Sequence, residues 1–251
     1  MKILQLSFVV TVCLTSITGC SLECQSAEDI QVTFLVDISD ERLLEAARDD
    51  MQNNLGAFMA DLGLASMEDC QQLTVNMAPL SARDELKLVS QRLSLVEKGL
   101  SARERRRRTN PQPIVQMIGR EFSTYDSLRR LPAYNQGSSI GNQMLKAIHQ
   151  TREASKSYVV VFSDMVQHDE HISFYRELPE QINASSLQML FDPLMLDRVP
   201  RGHQDTQVII VHLQQVDTSM KGKRRAIAAL WSEAFEQGLG IKVVVKDNLT
   251  Q

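Results

Sequence analysis

The chain has 251 residues, of which 43% are hydrophobic and 23% are charged, the composition of an ordinary folded domain. Its formal net charge of −4 excludes the strongly basic surface that general nucleic-acid binding requires, so we expect no nucleic-acid partner. The length allows one α/β domain preceded by a targeting segment.

Residues 1–19 have the pattern of a signal peptide. A short basic start, Met1-Lys2, precedes a mostly apolar run at residues 3–14 that is too short to span a bilayer comfortably. The following Ile17-Thr18-Gly19-Cys20 resembles the bacterial lipobox. The resemblance implies cleavage before Cys20, which would then carry a diacylglycerol and an amide-linked acyl chain. An ordinary secretory signal with a chance cysteine is the alternative.

The same resemblance predicts where the protein resides. Residues 20–28 would form a lipidated tether, because several acyl chains anchor a protein stably to a membrane. Ser21 follows the cysteine, whereas an aspartate there marks retention at the inner membrane in the enterobacterial sorting pattern. We therefore expect a lipid-anchored protein of the cell envelope, at the outer membrane, facing the periplasm or the surface.

Two cysteines remain after the signal peptide and the lipidated cysteine are set aside. Cys24 and Cys70 each lie shortly before a candidate strand. If those strands are parallel neighbours, both cysteines lie at one edge of the sheet, where a disulfide is feasible in an oxidising compartment. Two separate thiols are the alternative.

The first half of the mature chain alternates apolar runs with helical periodicity. Strands are predicted at residues 30–36 and 73–80, and a helix at 40–63 has apolar residues three and four apart. Residues 86–95 fit an edge strand or a helix. The arginine-rich run at 101–110 indicates an exposed loop tip or helix end, solvated or facing an anionic surface.

The second half continues the alternation. The predicted elements, in order, are a helix at 114–131, a loop at 132–141, a helix from 144, a strand at 158–162, a helix around 186–196, a strand at 208–213, a helix at 226–239 and a strand at 241–245. Alternating strands and helices predict one α/β domain, residues 29–251, with a mainly parallel sheet.

Oxygen-bearing side chains follow two predicted strands and open one predicted helix. They lie in Asp37-Ile38-Ser39-Asp40-Glu41, in Gly137-Ser138-Ser139-Ile140-Gly141 and in Phe162-Ser163-Asp164. Their order and spacing, over residues 29–247, resemble the von Willebrand factor A (vWA) domain and its metal ion-dependent adhesion site. Asp37 and Ser39 match the first motif of that site, Ser139 stands where the family has a threonine, and Asp164 matches the last aspartate.

The resemblance implies a fold and a chemistry. The fold is a doubly wound, three-layered α/β domain, with six strands in the order 3-2-1-4-5-6 and one antiparallel edge strand. Asp37 and Asp164 would face each other at the topological switch point. Hard oxygen donors suit Mg²⁺ or Mn²⁺, whose open position would accept water or a carboxylate of a protein partner.

Glu41 departs from the family pattern, because it replaces the second serine of the first motif. A glutamate could coordinate the cation, but its negative charge disfavours an acidic partner. The alternative is a degenerate site in which Asp37 and Ser39 only cap the first helix and brace the loops.

No enzyme motif accompanies these clusters: the chain has no nucleophile elbow, P-loop or dinucleotide fingerprint. We therefore expect a non-enzymatic protein that binds a partner in the cell envelope, through a divalent cation or without one. The alternatives are a structural assembly component with a degenerate metal site and, with least support, a metal-dependent hydrolase.

Overall fold

A computed structural model provides the coordinates of the protein. It describes residues 24, 27–63, 67–81, 86–135, 137–151, 153–169, 171–179, 183–198, 205–213, 220 and 222–250. The signal peptide and the lipobox with Cys20 lie outside the described residues.

Six strands form one sheet. They are β1 (Glu28–Asp37), β2 (Gln71–Leu80), β3 (Val89–Arg92), β4 (Lys156–Ser163), β5 (Thr206–His212) and β6 (Lys242–Lys246). Their order is β3-β2-β1-β4-β5-β6, and every pairing is parallel except that of β2 with the edge strand β3. This confirms the predicted doubly wound sheet and its strand order.

Helices cover both faces of the sheet and make the three layers. They are α1 (Glu41–Asp61), α2 (Ala102–Arg108), α3 (Gln112–Leu128), α4 (Pro132–Asn135), α5 (Ile140–Gln150), α6 (Ala184–Leu190), α7 (Pro193–Leu196) and α8 (Arg224–Glu233). A π-helical turn, Ala234–Leu239, continues α8 and ends at Gly240, whose φ is 70°.

The central strands are apolar on both faces because each face is covered. Along β1, Phe34 and Val36 join the core under α1 and α3, while Leu35 joins the core under α5 and α8. The same alternation in β4 places Phe162 on the first face and Val161 on the second. Such continuous apolar runs are typical of buried parallel strands.

The structure shows which secondary structure the ambiguous segments adopt. Residues 89–92 of the ambiguous segment form the antiparallel edge strand β3. The arginine-rich run forms the short helix α2, and α4 lies within the predicted loop. The helix predicted around residues 186–196 is divided into α6 and α7, because Pro193 cannot continue the hydrogen-bond ladder of α6.

A disulfide joins Cys24 to Cys70, whose Cα atoms are 5.4 Å apart. Glu28 at the start of β1 donates its backbone N–H to the carbonyl oxygen of Cys70 at 2.8 Å. The disulfide therefore fixes the N-terminal segment at the amino edge of the sheet. Within the described part of the chain, no helix has both the length and the apolar character needed to cross a bilayer.

Replacing both cysteines, Cys24→Ala with Cys70→Ala, removes a covalent link across 46 positions of sequence. We expect the free energy of unfolding to fall by about 4 kcal/mol, because the unlinked unfolded chain gains conformational entropy. Urea denaturation with and without dithiothreitol measures the change. The reduced wild type should have the same free energy of unfolding as the variant. If the oxidised wild type is no more stable than the variant, the disulfide does not stabilise the fold.

Candidate functional site

The carboxylate of Asp37 is the centre of the site. Asp37 ends β1 and is 1% exposed, and its side chain accepts four hydrogen bonds. Oδ1 accepts from Ser39 N at 3.0 Å, from Ser39 Oγ at 2.7 Å and from Ser138 Oγ at 3.0 Å. Oδ2 accepts from Ser163 Oγ at 2.6 Å. Each carboxylate oxygen offers about two acceptor positions, so the described donors fill Oδ1 and occupy one position of Oδ2.

The register of the sheet explains why Ser163 reaches Asp37. Val36 of β1 is paired with Phe162 of β4, so the next residues along the two parallel strands, Asp37 and Ser163, lie side by side. Neighbouring side chains in register point to the same face of a sheet. The hydroxyl of Ser163 also accepts the backbone N–H of Met165 at 2.8 Å, which orders the chain as it leaves β4.

The loop before α5 delivers Ser138. Ser138 N donates to the carbonyl oxygen of His168 at 3.0 Å, and His168 N donates back to Ser138 at 3.1 Å. This two-way bridge brings the loop against the segment after β4. Gly137 is required here, because its φ is +149° and a Cβ would lie 2.2 Å from the carbonyl oxygen of His168.

The end of β2 is tied to the same loop. Ser139 N and Gln143 Nε2 both donate to the carbonyl oxygen of Ser81, at 3.1 Å and 2.8 Å. The carboxyl ends of β2, β1 and β4 and the start of α5 are therefore held together by one hydrogen-bonded cluster, which is the crevice where open α/β sheets bind ligands.

The other predicted ligands lie beside this cluster. The backbone N–H of Ser139 donates to the carbonyl oxygen of Ser81, and the hydroxyl of Ser139 accepts from Asn142 Nδ2 at 3.5 Å. Asp164 is 4% exposed, and its Oδ1 accepts the backbone N–H of Val166 at 3.0 Å. Glu41 forms an ion pair with Arg129 at the end of α3, at 2.6 Å.

Asp40 is the N-cap of α1, and its side chain accepts from Arg42 N at 2.8 Å. On sequence grounds, Asp37 and Ser39 are candidate caps of α1. In the structure the cap is Asp40. Ser39 instead turns its hydroxyl back to Asp37, which leaves the two neighbouring residues with separate roles.

Sequence reasoning overlooked Ser138 and Ser163 as contacts of Asp37. A signal for Ser163 was present, because the period of two along β4 places it on the face of Val161 and in register with Asp37. Nothing in the sequence separates Ser138 from Ser139, since the choice depends on how the loop enters α5.

The donors of the cluster can be compared with the demands of Mg²⁺, which prefers hard oxygen ligands including one or two carboxylates. The hydroxyls of Ser39 and Ser138 are hard donors that keep free lone pairs after donating to Asp37. Oδ1 of Asp37 is filled by donors of the protein, and Glu41 pairs with Arg129. Among the described residues, no three histidine, cysteine, aspartate or glutamate side chains gather into a metal-binding group. The residues therefore form an internal hydrogen-bond network whose serine hydroxyls still fit a hard cation.

A buried histidine supports the segment after β4. His212, at the end of β5, is 2% exposed, and its Nε2–H donates to the carbonyl oxygen of Asp164 at 3.0 Å. Burial lowers the pKa of His212 from 6.5 to about 4, and the positive charge of Arg224 acts in the same direction. The imidazole is therefore neutral at physiological pH and holds Asp164 through its donor nitrogen.

Comparisons with known proteins place the chain only loosely. No protein-family model matches it, and no curated protein matches it. Among solved structures, the human COPII-coat protein Sec24c aligns with 88% of this chain and 29% of its own, at 11% identity and a TM-score of 0.37. The chain thus spans less than a third of Sec24c, and at this TM-score the likeness adds nothing to the account of the site.

Substitution of Asp37 by alanine should lower the free energy of unfolding by about 3 kcal/mol, because it removes the acceptor of three hydroxyls, of which those of Ser138 and Ser163 are buried. Ser163→Ala should cost about 1–2 kcal/mol, since it removes one of these donors. Chemical denaturation measures both. Asp49→Ala, an exposed aspartate of α1, is the matched control and should be neutral. An Asp37→Ala protein as stable as this control would contradict the central role of Asp37.

The lowered pKa of His212 predicts a pH dependence. Below about pH 6.5 the unfolded chain binds a proton that the folded protein excludes, so the free energy of unfolding decreases as the pH falls from about 6.5 to about 4. The loss from this one group reaches about 3 kcal/mol at the lower end. The glutamine of His212→Gln keeps a hydrogen-bond donor but does not titrate. Between pH 7 and pH 4, the free energy of unfolding of this variant, measured by urea denaturation, should therefore fall by about 3 kcal/mol less than that of the wild type. An equal decrease in the free energy of unfolding of the variant and the wild type over this pH range would refute the role of His212 in the pH dependence.

Proposed function

We propose that this is a lipid-anchored envelope protein whose vWA-like domain binds a protein partner at the carboxyl edge of its sheet. The observation that carries the proposal is a group of exposed apolar side chains in α6 and α7, after α3 and in the segment after β4. The observed strand order supports the vWA-like assignment, and the lipobox resemblance supports the anchor.

Large apolar side chains are exposed around this edge. Leu131 is 50% exposed, Tyr175 44%, Met189 44% and Leu194 68%. Exposed apolar and aromatic side chains that recur on one surface are typical of protein interfaces. We call these four residues the edge patch.

Hydrogen bonds and ring contacts connect the edge patch to the cluster. The ring of Tyr175 packs edge-on against His168, at a centroid distance of 5.7 Å, and His168 bridges to Ser138. On the other side, Asp192 N donates to Asn142 Oδ1 at 2.6 Å and holds α7, with Leu194, beside the start of α5. The interface would therefore be largely ordered before the partner binds, which lowers the entropic cost of association.

Leu131 is positioned from the opposite side. It follows α3, where the Arg129 guanidinium pairs with Glu41 at the start of α1 and with Asp126. Glu41 then serves to hold two helix ends together at the edge of the crevice. This role accounts for a glutamate at the position where the family motif has a serine.

The Cys24–Cys70 disulfide and the edge patch lie at opposite edges of the sheet. The disulfide fixes the N-terminal segment at the amino edge, and the edge patch surrounds the carboxyl edge. A lipidated Cys20 would attach the domain to the membrane by its amino edge, so the edge patch would point away from the bilayer. This orientation favours a partner in the periplasm or in another envelope layer.

A cation-dependent version is the second candidate. The hydroxyls of Ser39 and Ser138 meet at one oxygen of Asp37, and these hard donors could hold Mg²⁺ or Mn²⁺ with Asp37 as their acceptor. The three hydrogen bonds to Oδ1 of Asp37 favour the version without a cation. The two versions differ in whether binding survives chelation.

Capture of partners from native envelopes tests the proposal. We expect Leu194→Asp to reduce recovery of the partner at least tenfold, because it places a charge in the edge patch. Val245→Asp changes an apolar residue of β6 that is 40% exposed and is the matched control. Recovery by the control should equal that of the wild type, and equal recovery by Leu194→Asp would reject the edge patch.

The same experiment with EDTA separates the two versions. Recovery that survives EDTA, in a protein whose melting temperature Mg²⁺ and Mn²⁺ do not change, supports binding without a cation. Recovery that EDTA abolishes and Mg²⁺ restores in the wild type, but not in Ser39→Ala, supports the cation-dependent version.

A further inference from the structure

The short helix α2 is held on the domain by two of its five arginines. Arg105 Nη1 donates to the carbonyl oxygen of Met67 at 2.9 Å. One turn later, Arg108 Nη1 donates to the carbonyl oxygen of Leu95 at 3.0 Å. Each guanidinium also forms an ion pair with an acid two residues further along the contacted segment, Asp69 or Glu97. These contacts fix which side of α2 faces the protein.

The opposite side of α2 carries the other three arginines. Arg103, Arg106 and Arg107 are spaced three and four apart, so they share one face of the helix. All three are exposed, whereas the two anchoring arginines are half-buried. Within the described part of the chain, Arg103 and Arg106 form no ion pair, and Arg107 pairs with Glu104 of the same helix. An exposed pair of this kind is weak, so all three guanidiniums remain available to a partner.

The region around α2 is positive although the chain as a whole is acidic. Residues 95–110 contain five arginines, Lys98 and two acids, a formal net charge of +4, whereas the whole chain has −4. The turn at residues 67–70 adds Glu68 and Asp69, which reduces the local charge to +2. Asp69 lies on the anchoring side, paired with Arg105. The positive charge is therefore concentrated on the outer face, where it attracts an anionic partner.

The helix lies beside the disulfide, at the amino edge of the sheet. Its anchoring contacts are with residues 67–69 and 95–97. Both segments border Cys70: the first precedes it directly, and Cys70 N donates to the carbonyl oxygen of Val96 in the second at 2.6 Å. Cys70 is bonded to Cys24, and the four positions from Cys20 to Cys24 span at most about 14 Å. A lipid on Cys20 would therefore hold a membrane surface close to α2.

An exposed apolar side chain accompanies the arginines. α3 begins four residues after α2 ends, and Val115 in its first turn is 50% exposed. From there α3 runs to the carboxyl edge, where the following Arg129 pairs with Glu41, so its first turn lies at the amino edge. Segments that lie on membranes combine cationic side chains with exposed apolar ones. The neighbourhood of α2 has both.

We propose that the outer face of α2, formed by Arg103, Arg106 and Arg107, binds an anionic phospholipid surface. The inference takes the location of that surface from the proposed anchor, which would keep α2 at a high effective concentration beside the lipid, so that three arginines suffice. The contact holds the domain by its amino edge and directs the edge patch away from the bilayer. Binding of α2 to anionic lipid itself requires neither the anchor nor the protein partner.

Sedimentation with lipid vesicles tests the proposal without the anchor. The protein is residues 20–251 with Cys20→Ala, so that neither the apolar leader nor an acyl chain binds the vesicles. The described strands, helices and disulfide lie within residues 24–250, so this chain retains the described fold. We expect at least tenfold tighter binding to vesicles of equal parts phosphatidylglycerol and phosphatidylcholine than to phosphatidylcholine alone. High salt should remove that preference, because it screens the charges.

Paired substitutions separate the outer face of α2 from the charge of the whole protein. Arg103→Gln with Arg106→Gln should weaken binding to the anionic vesicles about tenfold, because each cation near such a surface strengthens binding about fivefold. Arg103→Lys with Arg106→Lys keeps the charge and should bind like the wild type. Arg130→Gln with Arg225→Gln is the matched control, which removes the same charge from exposed positions at the carboxyl edge and should bind normally. Equal melting temperatures show that the variants are folded.

Two results would overturn the proposal. The first is equal binding to both kinds of vesicle by the wild type, or equal loss of binding in the glutamine variants of α2 and of the carboxyl edge. The second is binding to isolated peptidoglycan or to DNA without binding to vesicles, since the arginines would then recognise a different polyanion. Mass spectrometry of Cys20 and partner capture test the anchor and the edge patch separately, so their failure is distinguishable from failure of the α2 surface.

Discussion

The buried carboxylate of Asp37 is the constraint on which the carboxyl edge of this domain depends. A charge with 1% exposure is stable only when hydrogen bonds compensate it, and four donors from three separate segments do so. Each donor fixes its own segment: the β1–α1 turn through Ser39, the loop before α5 through Ser138, and the end of β4 through Ser163. The hydrogen bonds that compensate the buried charge therefore also order three loops. The proposed interface depends on those loops.

The cluster also shows how the protein holds the oxygen atoms of a site that resembles a cation site. Hydroxyls that would coordinate a metal donate their protons to Asp37, and the glutamate that departs from the family motif pairs with Arg129. The oxygen atoms are thus engaged in hydrogen bonds and an ion pair that stabilise the fold. The same residue types serve both arrangements, because a hydroxyl can be a metal ligand and a hydrogen-bond donor at once. A partner would then be recognised by apolar contact and shape, in keeping with the exposed Tyr175 and Leu194.

Aromatic side chains pack on both faces of the sheet. Under α5 and α8 the aromatic side chains of Phe174, Phe191, Trp231 and Phe235 contact one another and fill the layer. On the other face, Phe34 contacts Phe58 of α1 and Phe162 of β4. The layer under α5 and α8 supports the loops of the carboxyl edge.

The sequence by itself determined the fold class, and its resemblance to the vWA domain implied the strand order that the structure has. Apolar runs of strand length alternating with helical periodicity require a mainly parallel sheet, and polar residues at strand ends must then meet at its carboxyl edge. It did not determine which hydroxyls reach Asp37, because that depends on the register of β4 against β1 and on the Ser138–His168 bridge, contacts between residues far apart in the chain. It gave no sign that Glu41 pairs with Arg129. Only the tertiary structure decided these points, since helix separation and side-chain partners are set by packing across the sheet and not by local propensity.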